Sequence, residues 1–278
     1  MSAVPFIKMH GLGNDFVVID ARDHAFACDA GLARAIADRH TGIGCDQLII
    51  LEPPRNPEAR LYMAIRNADG GEVAACGNAT RCIADLVMGE AGGTAATIET
   101  AAGLLVARGA GRHRVGVDMG EPATRWDEIP LARPCDTAHV PLELGPLADP
   151  VATGMGNPHV TFFVADIAAI EMARLGPVLE HDPIFPERAN IGVAQILSPE
   201  RMRLRVWERG AGLTPACGTG ACAALVAAER RGLVGRQAEI IVDGGTLAIQ
   251  WREDGHVIMT GPVAEVFRGS FDPALLVA

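Results

Sequence analysis

Short apolar runs separated by Gly-, Asn- and Asp-rich breaks fill the first half of the chain, at Phe6 to Met9, Phe16 to Asp20, Gln47 to Leu51 and Arg60 to Arg66. Apolar stretches this short, bounded by turn-forming residues, predict β-strands. A longer apolar run from about Asn78 to Met88 predicts a helix, with strands near Thr97 to Thr100 and Arg114 to Asp118 after it. The second half repeats the order. Strands near His159 to Val164, Ile191 to Leu197 and Arg203 to Glu208 precede a helix from about Thr219 to Arg231, and strands at Ala238 to Val242, Thr246 to Trp251 and His256 to Thr260 follow it. The pattern predicts an α+β (mixed α/β) chain of two similar halves. The Pro-rich, aperiodic stretch Glu121 to Ala148 is the expected connection between them.

The two predicted helices share one more feature. Ala75-Cys76-Gly77-Asn78 precedes the first and Ala216-Cys217-Gly218-Thr219 the second, so two near-copies of a Cys-Gly phrase stand about half of the 278-residue chain apart. Asn78 and Thr219 are candidate N-caps. A thiol at a helix N-terminus faces unpaired backbone N–H groups and the positive end of the dipole, which is expected to lower its pKa and make a usable thiolate. The same N–H groups bind anions, so a substrate carboxylate held there would have the charge that develops during loss of its Cα proton stabilised. Two thiols acting on opposite faces of that carbon would invert it, one as thiolate base and one as thiol acid.

Composition narrows the partners. A net charge of −10 and a pI near 5.3 disfavour nucleic acid and anionic membrane surfaces. No segment approaches the roughly 20 apolar residues needed to cross a bilayer, and Met1 to Phe6 lacks the basic and apolar regions of a signal peptide. Seven cysteines, an odd number in a chain of this size, predict free thiols in a reducing, cytoplasmic compartment. Cys82 and Cys222, inside the predicted helices, and Cys28 and Cys135 are expected in the core.

No metal is expected. Cys76 and Cys82 enclose five residues and Cys217 and Cys222 enclose four, both pairs leading into helices, which is not zinc-knuckle spacing. No cofactor is expected either. A pyridoxal phosphate enzyme needs a Schiff-base lysine, and the only lysine, Lys8, sits on or beside the first strand without an attachment motif.

From end to end the chain resembles the diaminopimelate epimerase family. The resemblance is carried by Lys8-Met9-His10-Gly11-Leu12-Gly13-Asn14-Asp15-Phe16, Gly42-Ile43-Gly44-Cys45-Asp46-Gln47, Asn67-Ala68-Asp69-Gly70, Gly156-Asn157-Pro158-His159, and Glu208-Arg209-Gly210-Ala211-Gly212 running into Ala216-Cys217-Gly218-Thr219-Gly220. It implies two pseudo-symmetric domains, each a curled mixed β-sheet around a central helix, with the active site between them. The expected domains are 1–122 with 264–278, carrying Cys76, and 123–263, carrying Cys217.

The resemblance further implies cofactor-independent interconversion of LL- and meso-2,6-diaminopimelate on the bacterial lysine and peptidoglycan route. It implies that Cys76 and Cys217 are the acid/base pair, with His159 and Glu208 tuning them. Asn14, Gln47, Asn67, Asn157 and Asn190 would bind the substrate's polar groups. Arg209 would pair with its distal carboxylate, Glu208 would attract the reacting ammonium, and the backbone of Gly77, Asn78, Gly218 and Thr219 would hold the reacting carboxylate. A homodimer is implied too.

The chain departs from the family pattern in three places. Ala79 and Thr80 stand where Gly and a small residue are usual, Cys45 occupies a usually small position, and Phe267 replaces a tyrosine associated with dimerisation. The nearest alternative is a proline or hydroxyproline epimerase of the same fold. Asn78, where those enzymes typically carry His, and Arg209, a partner for a second carboxylate, weigh against it. A non-catalytic zinc or redox protein is the more distant alternative.

Overall fold

A computed structural model describes residues 3–275. It divides into two compact units, one running to Val117 and taking up the chain again at Gly261, the other Asp118–Thr260.

In the first unit, β1 (Val4–Gly11) and β2 (Asn14–Asp20) form an antiparallel pair. Helix α1 (Ala30–Ala37) follows, capped by the Asp29 side chain, which accepts from Leu32 N. Then come β3 (Gln47–Glu52), parallel to β2, and β4 (Leu61–Asn67), antiparallel to β3. After the short β5 (Glu72–Val73) comes α2 (Gly77–Ala91). Strand β6 (Ala95–Thr100) returns parallel to β4, and β7 (Gly103–Gly109) and β8 (Arg114–Asp118) continue antiparallel.

The second unit opens with a small hairpin, β9 (Glu143–Leu144) and β10 (Leu147–Ala148), and then repeats the plan. Strands β11 (Val151–Gly154) and β12 (Pro158–Phe163) are antiparallel, α3 (Met172–Glu180) follows, and β13 (Asn190–Ser198) lies parallel to β12. Strand β14 (Arg201–Glu208) is antiparallel to β13, and β15 (Gly212–Leu213) precedes α4 (Gly218–Arg230). Strand β16 (Gln237–Val242) is parallel to β14, and β17 (Gly245–Trp251) and β18 (Val257–Pro262) close the series. Each parallel or antiparallel step from β1 to β7 thus recurs from β11 to β17. The final strand, β19 (Ala264–Phe271), pairs antiparallel with β1 in the first unit.

Helices α2 and α4 pack against the strands of their own units. Residues Gly220 to Ala228 of α4 are continuously buried, so this helix has no solvent face and is built of Ala, Val, Leu and Cys. Around α1 the core is Val17, Ile19, Ile36, Leu48 and Ile50. In the second unit a core of Val160, Phe162, Leu175, Leu179, Ile191 and Val193 lies against α3.

Several elements were not visible in the hydrophobic pattern. Helix α3 contains Gly176 and Pro177, which read as breakers. The glycine is there because the helix closes on Trp207, where a Cβ would lie 2.5 Å from the indole Cγ. Helix α1 is brief, and β7 and β19 are mostly exposed, so neither strand carries a clean apolar stripe.

Candidate active site

In the first unit Asn14, Gln47 and Asn67, all expected to bind substrate, lie at the same end of the paired strands β2, β3 and β4. Asn14 begins β2, Gln47 begins β3 and Asn67 ends β4, with Gln47 and Asn67 directly paired in the antiparallel register. Gln47 Nε2 donates to Asn67 Oδ1 at 3.0 Å, while Gln47 Oε1 is buried without a hydrogen-bond partner. An orphaned buried acceptor costs about 1–3 kcal/mol, and it is a place for an incoming donor such as an ammonium group.

Cys76 itself is the N-cap of α2, with extended backbone and no side-chain cap hydrogen bond. This corrects the expectation that Asn78 caps the helix. Asn78 lies inside the first turn, buried, and its side chain faces sideways: Nδ2 donates to Asn14 Oδ1 at 3.2 Å, and Oδ1 accepts from Arg81 at 2.9 Å. Cys76 Sγ is 3.8 Å from the same Asn14 Oδ1. Asn14 is held in turn by Asp46, whose Oδ2 accepts from Asn14 Nδ2 at 3.1 Å.

Behind Asn14 lies an ion cluster that the sequence did not announce. Lys8 Nζ is 2.5 Å from Asp15 Oδ2 and also donates to the Gly44 carbonyl. Arg39 bridges Asp15, at 2.7 Å, and Asp46, at 2.8 Å. Burial pushes the Asp15 carboxyl up, but Arg39 and Lys8 outweigh it and hold Asp15 well below the usual carboxylate range. The single lysine is therefore a structural counter-ion.

In the second unit Cys217 is likewise the N-cap of α4, which corrects the expectation for Thr219. Thr219 instead places Oγ1 3.7 Å from Cys217 Sγ. Gly220 gives the sulfur its room, since a Cβ there would meet Val206 at 2.9 Å and Cys217 Sγ at 3.1 Å. Glu208 ends β14 beside this thiol and accepts from Thr214 Oγ1. Here the expected lowering of the thiol pKa does not occur. Cys217 is 4% exposed, and burial, then the charge of Glu208 and its hydrogen bond to the sulfur, push the pKa well above the ordinary value; donation from Gly220 N–H and from Thr219 only partly offsets this.

His159 is 2% exposed, and burial, with the nearby positive charge of Arg209, pulls its pKa down to about 3. It is neutral at physiological pH, and its Nε2 donates to Asn157 Oδ1 at 2.9 Å. Asn190 is a buried brace: Nδ2 donates to the Pro158 carbonyl and Oδ1 accepts from Arg209 N, both at 2.9 Å. Arg209 Nη1 donates to the Glu187 carbonyl at 2.9 Å, and among the described residues no carboxylate forms an ion pair with it.

The registers align the two units residue by residue. Phe16 pairs with Gln47 across β2 and β3, and His159 pairs with Asn190 across β12 and β13. Asn14 therefore corresponds to Asn157, Gln47 to Asn190, and Phe16 to His159. Asn67 ends β4 as Glu208 ends β14. The copies differ where charge enters, with Glu208 in place of Asn67 and Arg209 next to it in place of Ala68.

The remaining thiols are poorly suited to chemistry. Burial pushes Cys45 up to about 11 and Cys82 up to about 12, and Cys222 is fully buried. Cys28 and Cys135 were expected in the core but sit half-buried at its margin. Among the described residues no group of three or more His, Cys, Asp or Glu is arranged to hold a metal, and no helix is long and apolar enough to cross a membrane.

The family model for diaminopimelate epimerase matches residues 6–125 and 151–266. The chain belongs to the diaminopimelate epimerase family. A diaminopimelate epimerase of Acidiphilium cryptum (strain JF-5) is 58% identical over 275 residues, covering 99% of each chain. Another from Rhodospirillum centenum (strain ATCC 51521 / SW) is 58% identical over 271 residues, 98% of this chain and 93% of that one. Among solved structures, a probable proline racemase from Agrobacterium radiobacter K84 superposes with a TM-score of 0.69 at 17% identity, over 98% of this chain and 95% of that one. A phenazine biosynthesis protein of the PhzF family from Enterococcus faecalis reaches 0.70 at 11% identity, over 98% and 100%. The family thus shares its fold with proteins of other named activities.

Proposed function

We propose that this chain is an isomerase that interconverts LL- and meso-2,6-diaminopimelate by proton exchange between Cys76 and Cys217 at one α-carbon, without a cofactor. The observation that carries the reading, given the family, is the pair of cysteines that are themselves the N-caps of α2 and α4.

In the proposed step the Cys76 thiolate takes the Cα proton. The electrons of the broken C–H bond pass into the adjacent carboxylate, whose charge meets the N–H groups of Gly77, Asn78, Gly218 and Thr219. Cys217, kept as a thiol by burial and Glu208, gives its proton to the opposite face and retains the S–H electron pair as thiolate. One turnover leaves Cys76 protonated and Cys217 ionised, which is the state for the reverse reaction.

The two units supply different binding chemistry. The unpartnered Gln47 Oε1 and the Asn14 and Asn67 amides suit ammonium and carboxylate groups without adding charge. Arg209, free of carboxylate partners among the described residues, suits the substrate's distal carboxylate through paired hydrogen bonds. Neutral His159, with Asn157 and Asn190, offers the substrate uncharged polar groups from the second unit, and Glu208 attracts the reacting ammonium. The same reading includes a cytoplasmic enzyme of lysine and peptidoglycan precursor synthesis, acting as a homodimer through the exposed face of β19.

Incubation of the protein with LL-diaminopimelate in deuterium oxide, with no added cofactor or metal, tests this. Deuterium at Cα of the meso product, and loss of exchange in Cys76→Ala and Cys217→Ala, are expected. Full activity in either variant, or turnover of proline in place of diaminopimelate, would overturn the reading.

A further inference from the structure

Two oppositely charged residues bracket the asparagines beside Cys76. At one end, Asp46 Oδ2 accepts from Asn14 Nδ2 and from Asp15 N, both at 3.1 Å, while Asp46 Oδ1 accepts from Arg39. A carboxylate only accepts, so the Asn14 NH2 group must face Asp46 and its carbonyl must face away. At the other end, the wholly buried Arg81 donates to Asn78 Oδ1 at 2.9 Å. A guanidinium only donates, so the Asn78 carbonyl must face Arg81 and its NH2 must face Asn14. The two constraints arrive independently from opposite ends and agree at the middle bond, Asn78 Nδ2 to Asn14 Oδ1 at 3.2 Å.

We propose that Asp46 and Arg81 are positioning residues that fix the direction of the Asn14 and Asn78 amides and so present the Asn14 carbonyl oxygen, not its NH2, to Cys76 as the acceptor for the thiol proton. The 3.8 Å approach of Cys76 Sγ to Asn14 Oδ1 is the contact this direction creates. An acceptor beside the sulfur favours its S–H form over its anion, and so makes Cys76 the stronger base toward a Cα proton. The reverse orientation would place an N–H donor there and stabilise the anion. Asp46, with Asp15, Arg39 and Lys8 behind it, faces this pair from one side, and Arg81 from α2 faces it from the other. Gly11 makes space for Arg81, because a Cβ there would stand 3.0 Å from its Nη2.

The role assigned to Cys76 in turnover rests on the proposed epimerase reading; the amide direction does not. The test therefore measures both. Iodoacetamide labelling of Cys76 at fixed neutral pH, followed by peptide mass spectrometry, needs no substrate. In Asp46→Asn, where the new amide can donate and Asn14 is free to turn, Cys76 is expected to label about tenfold faster, the effect of roughly one hydrogen bond to the anion. Arg81→Met is expected to shift labelling the same way, and Arg81→Lys, which restores a cationic donor, to return it toward the parent rate. Epimerisation should lose kcat in the same variants. Asp46 is partly exposed, so Asp46→Asn is the variant to rely on should Arg81→Met fail to fold. Unchanged Cys76 labelling in Asp46→Asn, or Arg81→Lys behaving as Arg81→Met, overturns the proposal. Shifted labelling in a protein that does not epimerise diaminopimelate overturns the functional reading and leaves the amide assignment standing.

Discussion

Asn67 and Glu208 hold equivalent places in two copies of one topology, each the last residue of the strand that leads toward a cysteine-capped helix. In the first copy the position is a neutral amide bonded to Gln47; in the second it is a carboxylate beside Cys217. The equivalent strand ends therefore differ in charge, a difference that suits the proposed base and acid roles of the two thiols.

Replacing Glu208 tests that difference. Glu208→Gln keeps the side-chain shape but removes the charge that, after burial, most raises the Cys217 thiol, so its pKa is expected to fall. With the acid partner mistuned, kcat should drop by roughly 10²-fold, in the range typical of a lost proton-transfer arrangement. The pH dependence of Cys217 alkylation and steady-state kinetics read the two effects, and an unshifted alkylation profile would count against the role of Glu208.

His159 should leave a mark on acid stability. The unfolded chain binds a proton near 6.5 that the folded protein, with His159 down at about 3, refuses. The stability this contributes is present above 6.5 and lost as pH falls through the window from about 6.5 to about 3, by on the order of a few kcal/mol. Urea unfolding of His159→Gln across this range is expected to show a flatter pH profile than the parent. Parallel profiles would mean the ring is not the titrating group.

Arg209 is expected to choose between diacids and monoacids. Arg209→Met should lower kcat/KM for diaminopimelate by roughly 10²-fold, as a lost two-pronged carboxylate contact does. Competition by monocarboxylate analogues should be nearly unaffected, and equal weakening of both classes would point to a structural role at Glu187 instead.

The exposed face of β19 bears on assembly. Val266 and Phe267 are 55% and 49% exposed, yet Phe267 packs edge-on against Phe6 with ring centroids 5.8 Å apart. Phe267→Asp is expected to weaken the proposed homodimer by at least about tenfold in sedimentation equilibrium, with little change in the fold of the protomer. A dimer of unaltered strength would place the interface elsewhere.

Much of this was legible along the chain because it is local. Short apolar runs between turn-forming residues marked most paired strands, and longer apolar runs marked both central helices, because each buries its own apolar residues locally. The Cys-Gly phrases announced the thiols before any strand was paired, whereas Asn14, Gln47, Asn157 and Asn190 came only from the resemblance to the family. Patterning did not mark α3, whose Gly176 and Pro177 make sense only against Trp207, nor β19, whose exposed residues carry no apolar period.

Chemical state was another matter. From local structure alone, a thiol at a helix N-terminus is expected to ionise readily, and the order of residues supports no more than that. The raised Cys217, the neutral His159 and the directed Asn14–Asn78 pair all depend on groups distant in the chain: Glu208, Arg209, Asp46 and the surrounding core. Dehydration and charge proximity act through space, and only the packed strands bring those groups within reach of one another.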